Sequence, residues 1–169
     1  MEIAVIGTRE PSDAQAALCR ELCLALAQKG HCLRTGNAVG IDQLAIACWL
    51  ETGSRRVKVF LPWRSYNADF LKDKNVSVRV YDPRKDVEWK ESVYKYHPAA
   101  RYLSRGVFAL HARNYGIVRG ADVVLAFPSP KGGGTAQGIR VAQGLGVNLF
   151  VFDFSGKNAD TGVLVKLLK

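Results

Sequence analysis

No apolar run in this 169-residue sequence approaches the ~20 residues that a bilayer-spanning helix requires. The opening residues Met1–Gly7 lack a basic segment, a long apolar stretch and a small-residue cleavage site, which argues against a secretory leader. A cytoplasmic protein with no membrane partner is therefore expected. Low-complexity tracts, linkers and internal repeats are missing too, and a hydrophobic fraction of 48% excludes a disordered chain. The length suits one core, so residues 1–169 are read as a single domain.

Metal and catalytic patterns are equally scarce. His31, His97 and His111 show no ligand spacing. Cys19 and Cys23 stand four apart on a predicted helix, but no second close Cys/His pair completes a site, and His31 next to Cys32 falls on a predicted strand. Buried thiols are expected rather than zinc ligands. There is no Gly-x-Ser-x-Gly elbow, no Walker A loop ending in Gly-Lys-Ser/Thr, and no Gly-x-Gly-x-x-Gly fingerprint. No metal, cofactor or catalytic residue is expected, and binding is better supported than chemistry.

The charge is uneven. The net charge is +9, and residues 54–119 carry 15 Lys or Arg against 6 Asp or Glu, while the rest of the chain sums to zero. All six tyrosines lie in that same segment. Basic residues interleaved with aromatics suit a polyanion whose bases stack. A solvated surface around core aromatics accounts for the same pattern.

The chain alternates strand and helix. Ile3–Ile6 is a short apolar run, as in a strand buried on both faces. Ser12 with Gln15 makes a capping box, and Leu18, Leu22 and Leu26 follow at helical spacing. His31–Arg34 and Val57–Leu61 predict strands, with a helix marked by Ile41, Leu44, Ala45 and Cys48 between them. Val76–Tyr81 reads as an edge strand. Pro83–Tyr96 and Ala99–Val118 read as helices separated by His97-Pro98. Val123–Phe127 predicts a strand, Thr135–Leu145 a helix, Leu149–Phe152 the last central strand, and Ala159–Leu168 a closing helix. This rhythm predicts an α/β fold, a Rossmann-like, doubly wound and mostly parallel sheet flanked by helices.

In such a sheet, ligands bind beyond the carboxyl ends of the strands where strand order reverses. Three glycine-rich turns open on that edge: Gly7-Thr8-Arg9, Gly36–Asp42 and Gly132-Gly133-Gly134-Thr135. Each brings backbone N–H groups and a helix start toward an anion, and glycine permits the close approach. Arg9 either clamps a phosphate or pairs with Glu10. Asp42 either binds a ribose hydroxyl or stabilises its helix start. Arg113 and Asn114 either face the cleft or are solvated helix residues.

The strings Ala4-Val5-Ile6-Gly7-Thr8-Arg9 and Thr35-Gly36-Asn37-Ala38-Val39-Gly40-Ile41-Asp42 resemble the Gly-Ser/Thr-Arg and Ser-Gly…Gly-Ile-Asp signatures of the DprA/Smf proteins. The resemblance continues through His97-Pro98, Arg113-Asn114, Ala121–Val124 and Gly132–Ala136, covering about Met1 to Phe152. These proteins fall in the SLOG superfamily of Rossmann-like domains, with the LOG-type phosphoribohydrolases. The resemblance implies binding of single-stranded DNA or a nucleotide ligand, a homodimer, and by analogy a recombinase partner. It carries over Gly7, Thr8, Arg9, Gly36, Asn37, Gly40, Asp42, Arg113, Asn114, Lys131, Gly132, Gly133, Gly134 and Thr135 as phosphate- or nucleotide-contacting candidates.

Two departures bear on this. The chain has no room for the helical and winged-helix domains of many full-length DprA proteins, which puts recombinase loading in doubt while the core domain can suffice for nucleic-acid contact. The LOG motif Pro-Gly-Gly-x-Gly-Thr-x-x-Glu has Lys131 at its first glycine and Gly138 at its catalytic glutamate. The expected function is single-stranded DNA binding in DNA processing. Sensing of a small nucleotide is the alternative, and nucleoside monophosphate hydrolysis comes third.

Overall fold

The computed structural model describes residues 1–157; the closing helix expected at 159–168 lies outside them. Six strands form one sheet, with every pairing parallel: β1 (Glu2–Gly7), β2 (Cys32–Thr35), β3 (Val57–Leu61), β4 (Ser77–Val80), β5 (Val123–Phe127) and β6 (Asn148–Val151). Their order is β4-β3-β2-β1-β5-β6. The chain therefore winds outward from β1 on one side, then returns to lay β5 and β6 on the other. The reversal falls between β1 and β5, whose register runs from Ile3 against Val123 to Gly7 against Phe127.

The central strands are apolar on both sides because both sides are covered. Ile3, Val5, Leu33, Val59 and Leu125 pack under α1 (Asp13–Gln28) and α2 (Ile41–Glu51), with Trp49 fully buried among them. Ala4, Ile6, Phe60, Val124 and Ala126 face the other layer, built from α4 (Val87–Tyr96), α5 (Arg105–Val118) and α6 (Gly134–Leu145). A single turn of helix, α3 (Ala68–Leu71), precedes β4. Removing each large side chain of this core from water contributes about 1.5–3 kcal/mol.

Local signals act as read. Ser12 Oγ accepts from Gln15 N at 3.1 Å, and Gln15 Oε1 accepts from Ser12 N at 3.4 Å, completing the capping box. The buried Gln15 also donates through Nε2 to the Pro128 and Phe152 carbonyls, at 2.9 and 3.2 Å, which ties α1 to the loop after β5. Cys19, Cys23 and Cys48 are buried and Cys32 half-buried, all with free thiols.

Three expectations are corrected. The helix expected over Ala99–Val118 is split: a 3₁₀ turn spans Ala100–Tyr102, and α5 begins anew behind Ser104, whose Oγ accepts from Val107 N at 3.4 Å. The helix expected from Pro83 starts only at Val87. The strand expected to be central at Leu149–Phe152 is β6, which among the described residues lies at the edge of the sheet. No helix of the described residues is long and apolar enough to cross a membrane.

Candidate functional site

The reversal point sends the turns after β1 and β5 apart from a shared base, where Thr8 N donates to the Phe127 carbonyl at 2.9 Å. Between them opens a cavity of about 910 Å³. Its rim and walls include Gly7, Thr8, Arg9, Asp42, Arg113, Asn114, Lys131, Gly132, Gly133, Gly134 and Thr135, so eleven of the fourteen expected contact residues converge on one space.

The other three expected contacts, Gly36, Asn37 and Gly40, do not line the cavity, for a steric reason. They belong to the turn after β2, which buttresses the first turn from behind. Gly40 has φ +93, and a Cβ there would sit 2.4 Å from the Thr8 carbonyl oxygen. Ile41 N donates to that same oxygen at 3.2 Å, so the α2 start holds the backbone of the first turn. Asn37 is fully buried, and its Nδ2 donates to the carbonyls of Tyr66 and Asn67 at 3.1 and 2.9 Å. At Gly36 a Cβ would lie 1.6 Å from Arg113 Nη1 and 2.5 Å from Asp42 Oδ2.

Asp42 and Arg113 explain that crowding. Oδ2 of Asp42 lies 3.7 Å from Arg113 Nη1, and both side chains are about 6% exposed. The carboxylate also accepts backbone N–H bonds from Ala38 and Gly7. It thereby ties the first turn, the second turn and α5 together. Burial raises the Asp42 pKa to about 6, against the lowering pull of Arg113 and the two N–H groups. The Arg113 guanidinium is pushed down by the same burial; it donates to the Phe60 carbonyl at 3.4 Å, while its Nε has no partner. Of the two readings of Arg113-Asn114, the buried, cavity-facing one holds. The Asp42 carboxyl holds these protein partners at the wall of the cavity.

The third turn is the most open. Gly132 and Gly133 have φ +77 and +101, and a Cβ at either would meet nothing within 4 Å. Gly133 caps α6 with no side chain over the helix start. The first N–H groups of a helix have no partner within it, and here they face the cavity. Asn114 Nδ2 donates to the Gly134 carbonyl at 3.0 Å, fixing α5 against this helix start. Arg9 and Lys131 are exposed and line the same cavity, and Arg9 makes no ion pair with Glu10 among the described residues.

Several lining residues are not among the expected contacts: Tyr66, His97, His111 and Arg140. His97 follows α4, His111 lies one turn before Asn114 on α5, and Arg140 lies on α6. The i, i+3 relation of His111 to Asn114 is the available signal, since such residues share a helix face. The basic, aromatic segment 54–119 contributes only one Lys or Arg to the cavity, the ion-paired Arg113. Much of its aromatic content is core: Phe60, Tyr81 and Trp89 are buried and pack together, with Tyr81 and Trp89 stacked at 6.0 Å. The cations lining this cavity other than Arg113 are Arg9, Lys131 and Arg140, which come from outside that segment.

Comparison with known proteins accords with this geometry. No curated protein matches by sequence. Residues 1–62 match the family model of DNA recombination-mediator protein A. Among solved structures, DNA processing protein A from Helicobacter pylori, described for its single-stranded DNA binding mode, superposes with a TM-score of 0.65 at 21% identity over 89% of this chain. The present chain spans 64% of that protein, a little under two thirds of its length. The molybdenum cofactor binding protein of Rippkaea orientalis gives 0.58 at 19% identity, covering 90% of this chain and 76% of that one. The Moco Carrier Protein of Chlamydomonas reinhardtii gives 0.55 at 17%, covering 89% and 74%. The first 62 residues are thus similar in sequence to DNA recombination-mediator protein A, and the chain shares a Rossmann-like fold with these solved structures.

Proposed function

We propose that this cavity binds nucleotide phosphate, and that the ligand presenting it is single-stranded DNA. One observation carries the phosphate assignment: the uncapped start of α6, with Gly132 and Gly133 at positive φ and no side chain above them, opens into the cavity that exposed Arg9 and Lys131 also line. A helix start of this kind stabilises an anion through its N–H groups and its dipole. The strand is favoured by an aromatic path out of the cavity. Tyr66 on the wall meets Trp63 edge-on at 5.3 Å, and Trp63 is 39% exposed, a surface on which a base can stack. The match to DNA recombination-mediator protein A supports the same reading.

Titration of a labelled oligonucleotide at several salt concentrations tests it. Affinity is expected at low salt and is expected to fall steeply as salt rises; binding that ignores salt overturns the phosphate contacts.

A second reading, capture of a small free nucleotide, is favoured by the cavity's volume of about 910 Å³, which lies in the range of small-ligand sites. A thermal shift with mononucleotides and none with oligonucleotides would select it. Hydrolysis of the nucleotide gains no support. Gly138 supplies no carboxylate, and a Cβ at that position would point at Ile6 Cδ1, 2.6 Å away.

A further inference from the structure

We propose that His97, His111 and Arg140 form a second anion subsite in the same cavity, so that the ligand carries two phosphates on one nucleotide scaffold. The proposal rests on the reading of the α6 start as the first phosphate site and names what lies beyond it.

His97 and His111 come from different elements, the end of α4 and the middle of α5, yet their rings lie 4.4 Å apart. Both line the cavity, as does Arg140 from α6. Ala99 N donates to His97 Nδ1 at 3.1 Å, so that nitrogen is an acceptor and the proton of the neutral ring sits on Nε2. His111 is only 8% exposed, and its Nδ1 has no partner. An unpartnered buried acceptor costs less than an unpartnered N–H held away from water, since the polar N–H is the more consistently paired group in folded proteins. That places the His111 proton on Nε2 as well. Arg140 is held by two of its own bonds, Nε to the Tyr96 carbonyl at 2.8 Å and Nη2 to Gln137 Oε1 at 3.0 Å. The two imidazoles thus offer Nε2–H donors, and Arg140, oriented by its two bonds, keeps further guanidinium N–H groups.

The charges around the pair point the same way. The groups acting on His111 are His97, Arg140 and Arg113, and the one acting on His97 is Arg140; no carboxylate is among them. With burial, they hold the His111 pKa down at about 4 and lower that of His97. The rings are therefore neutral donors beside the Arg140 cation, with no carboxylate among the groups acting on them, an arrangement that an incoming anion stabilises. A core explanation of the pair would give the buried imidazole a hydrogen-bond partner.

The two subsites are separate. Arg140 lies six residues along α6 from Gly134, about 9 Å at the helical rise. That figure separates the backbone positions, and Arg140 turns back toward Gln137; the imidazoles reach the cavity from α4 and α5, so two phosphates on either side of a nucleoside would engage the helix start and the histidine pair together. Such a unit is supplied either by a free nucleoside bisphosphate or by successive links of a single strand.

The test compares thymidine 5′-monophosphate, thymidine 3′,5′-bisphosphate and the dinucleotide pTpT by calorimetry on the full chain, at pH 8 and pH 6. The bisphosphate is expected to bind at least tenfold tighter than the monophosphate, and the ratio should grow at pH 6, where the bound anion draws protons onto the rings. In His111→Gln, and independently in His97→Gln, the ratio should collapse toward one. Equal affinity for the mono- and bisphosphate in the parent protein overturns the proposal, and so does a ratio that survives both substitutions. If no phosphate compound binds, the α6 reading fails with it; if only the monophosphate site operates, the second subsite alone fails. A dinucleotide preferred over the bisphosphate assigns the two anions to a strand, and the reverse assigns them to a free nucleotide. Thermal melts of both variants check that each is folded.

Discussion

Asp42 and Arg113 meet at 3.7 Å in the protein interior, seventy-one positions apart in the chain, and the missing side chain of Gly36 is what leaves them room. The pair joins the α2 start to α5 immediately behind the cavity. Removing one partner strands the other charge in a dry site, which costs more than the pair's own attraction. Arg113→Ala is therefore expected to lower the unfolding free energy by about 3–5 kcal/mol in denaturant titrations. Asp42→Asn strands the Arg113 guanidinium in turn, so a loss of the same order is expected although the amide oxygen still accepts from Ala38 and Gly7. A double-mutant cycle giving no coupling between the two positions would contradict the assignment.

Gly36→Ala tests the same pair without touching either charge. Its methyl would overlap the Arg113 guanidinium, whose nearest atom lies 1.6 Å from the ideal Cβ position. The backbone here is ordinary, so conformational strain plays no part and displacement of Arg113 and of the Asp42 carboxyl is the effect. A loss of about 2–4 kcal/mol is expected by equilibrium unfolding, in the range of broken buried charge pairs and overpacking. A variant as stable as the parent would show that Arg113 has another place to go.

How much of this is legible in the sequence depends on whether the cause is local. β1, β3 and β5 are readable because strands covered on both faces are nearly continuous apolar runs, and the capping box at Ser12 and Gln15 acts within four residues. The break before α5 is also local, since Ser104 is a capping residue, but the apolar spacing around it reads as one helix. The turns at Gly7, Gly36 and Gly132 are all visible in the sequence. Sequence reasoning assigns them one role, whereas the second turn holds up the first. That distinction, like the union of Asp42 with Arg113 and of His97 with His111, is set by packing between elements distant in the chain. No spacing rule reports it.

Gly133 offers a contrast with Gly36, for here space is free and the backbone is not. Its φ of +101, with nothing within 4 Å of an ideal Cβ position, means that an alanine meets no neighbour but forces a conformation that L-residues avoid. Gly133→Ala is expected to cost about 1–3 kcal/mol of stability or to reshape the loop. In either case it should weaken nucleotide binding severalfold by calorimetry. Unchanged affinity would argue that the α6 start does not hold the phosphate.

Protonation of His111 predicts a pH dependence whose sign is fixed. Its pKa falls from the ordinary 6.5 to about 4 on folding, so between those values the unfolded chain holds more protons than the native one. Stability from this group is then fully present above about pH 6.5 and is lost as pH falls toward 4. The loss should be on the order of 2 kcal/mol. The difference in unfolding free energy between the parent and His111→Gln, followed from pH 7.5 to 4.5, isolates it. A flat difference would mean that the ring is already paired or solvated in the native protein.

The cations at the rim should act by charge alone. Arg9 and Lys131 are exposed, line the same cavity as the α6 start, and take part in no ion pair among the described residues. If each neutralises one phosphate of a bound strand, each releases about one condensed counterion, and the slope of log affinity against log salt falls by about 0.7 per residue removed. Arg9→Ala and Lys131→Ala should therefore weaken oligonucleotide binding without regard to base sequence, most at low salt, and should converge on the parent as salt rises. Arg34 is the control. It is buried on the interior strand β2, does not line the cavity, donates to the Gly116, Ile117 and Arg119 carbonyls at the end of α5 and pairs with Glu2 at 3.1 Å. Arg34→Met should lower the melting temperature and leave the salt slope as it was. A salt slope that moved with Arg34 and not with Arg9 or Lys131 would place the strand away from the cavity.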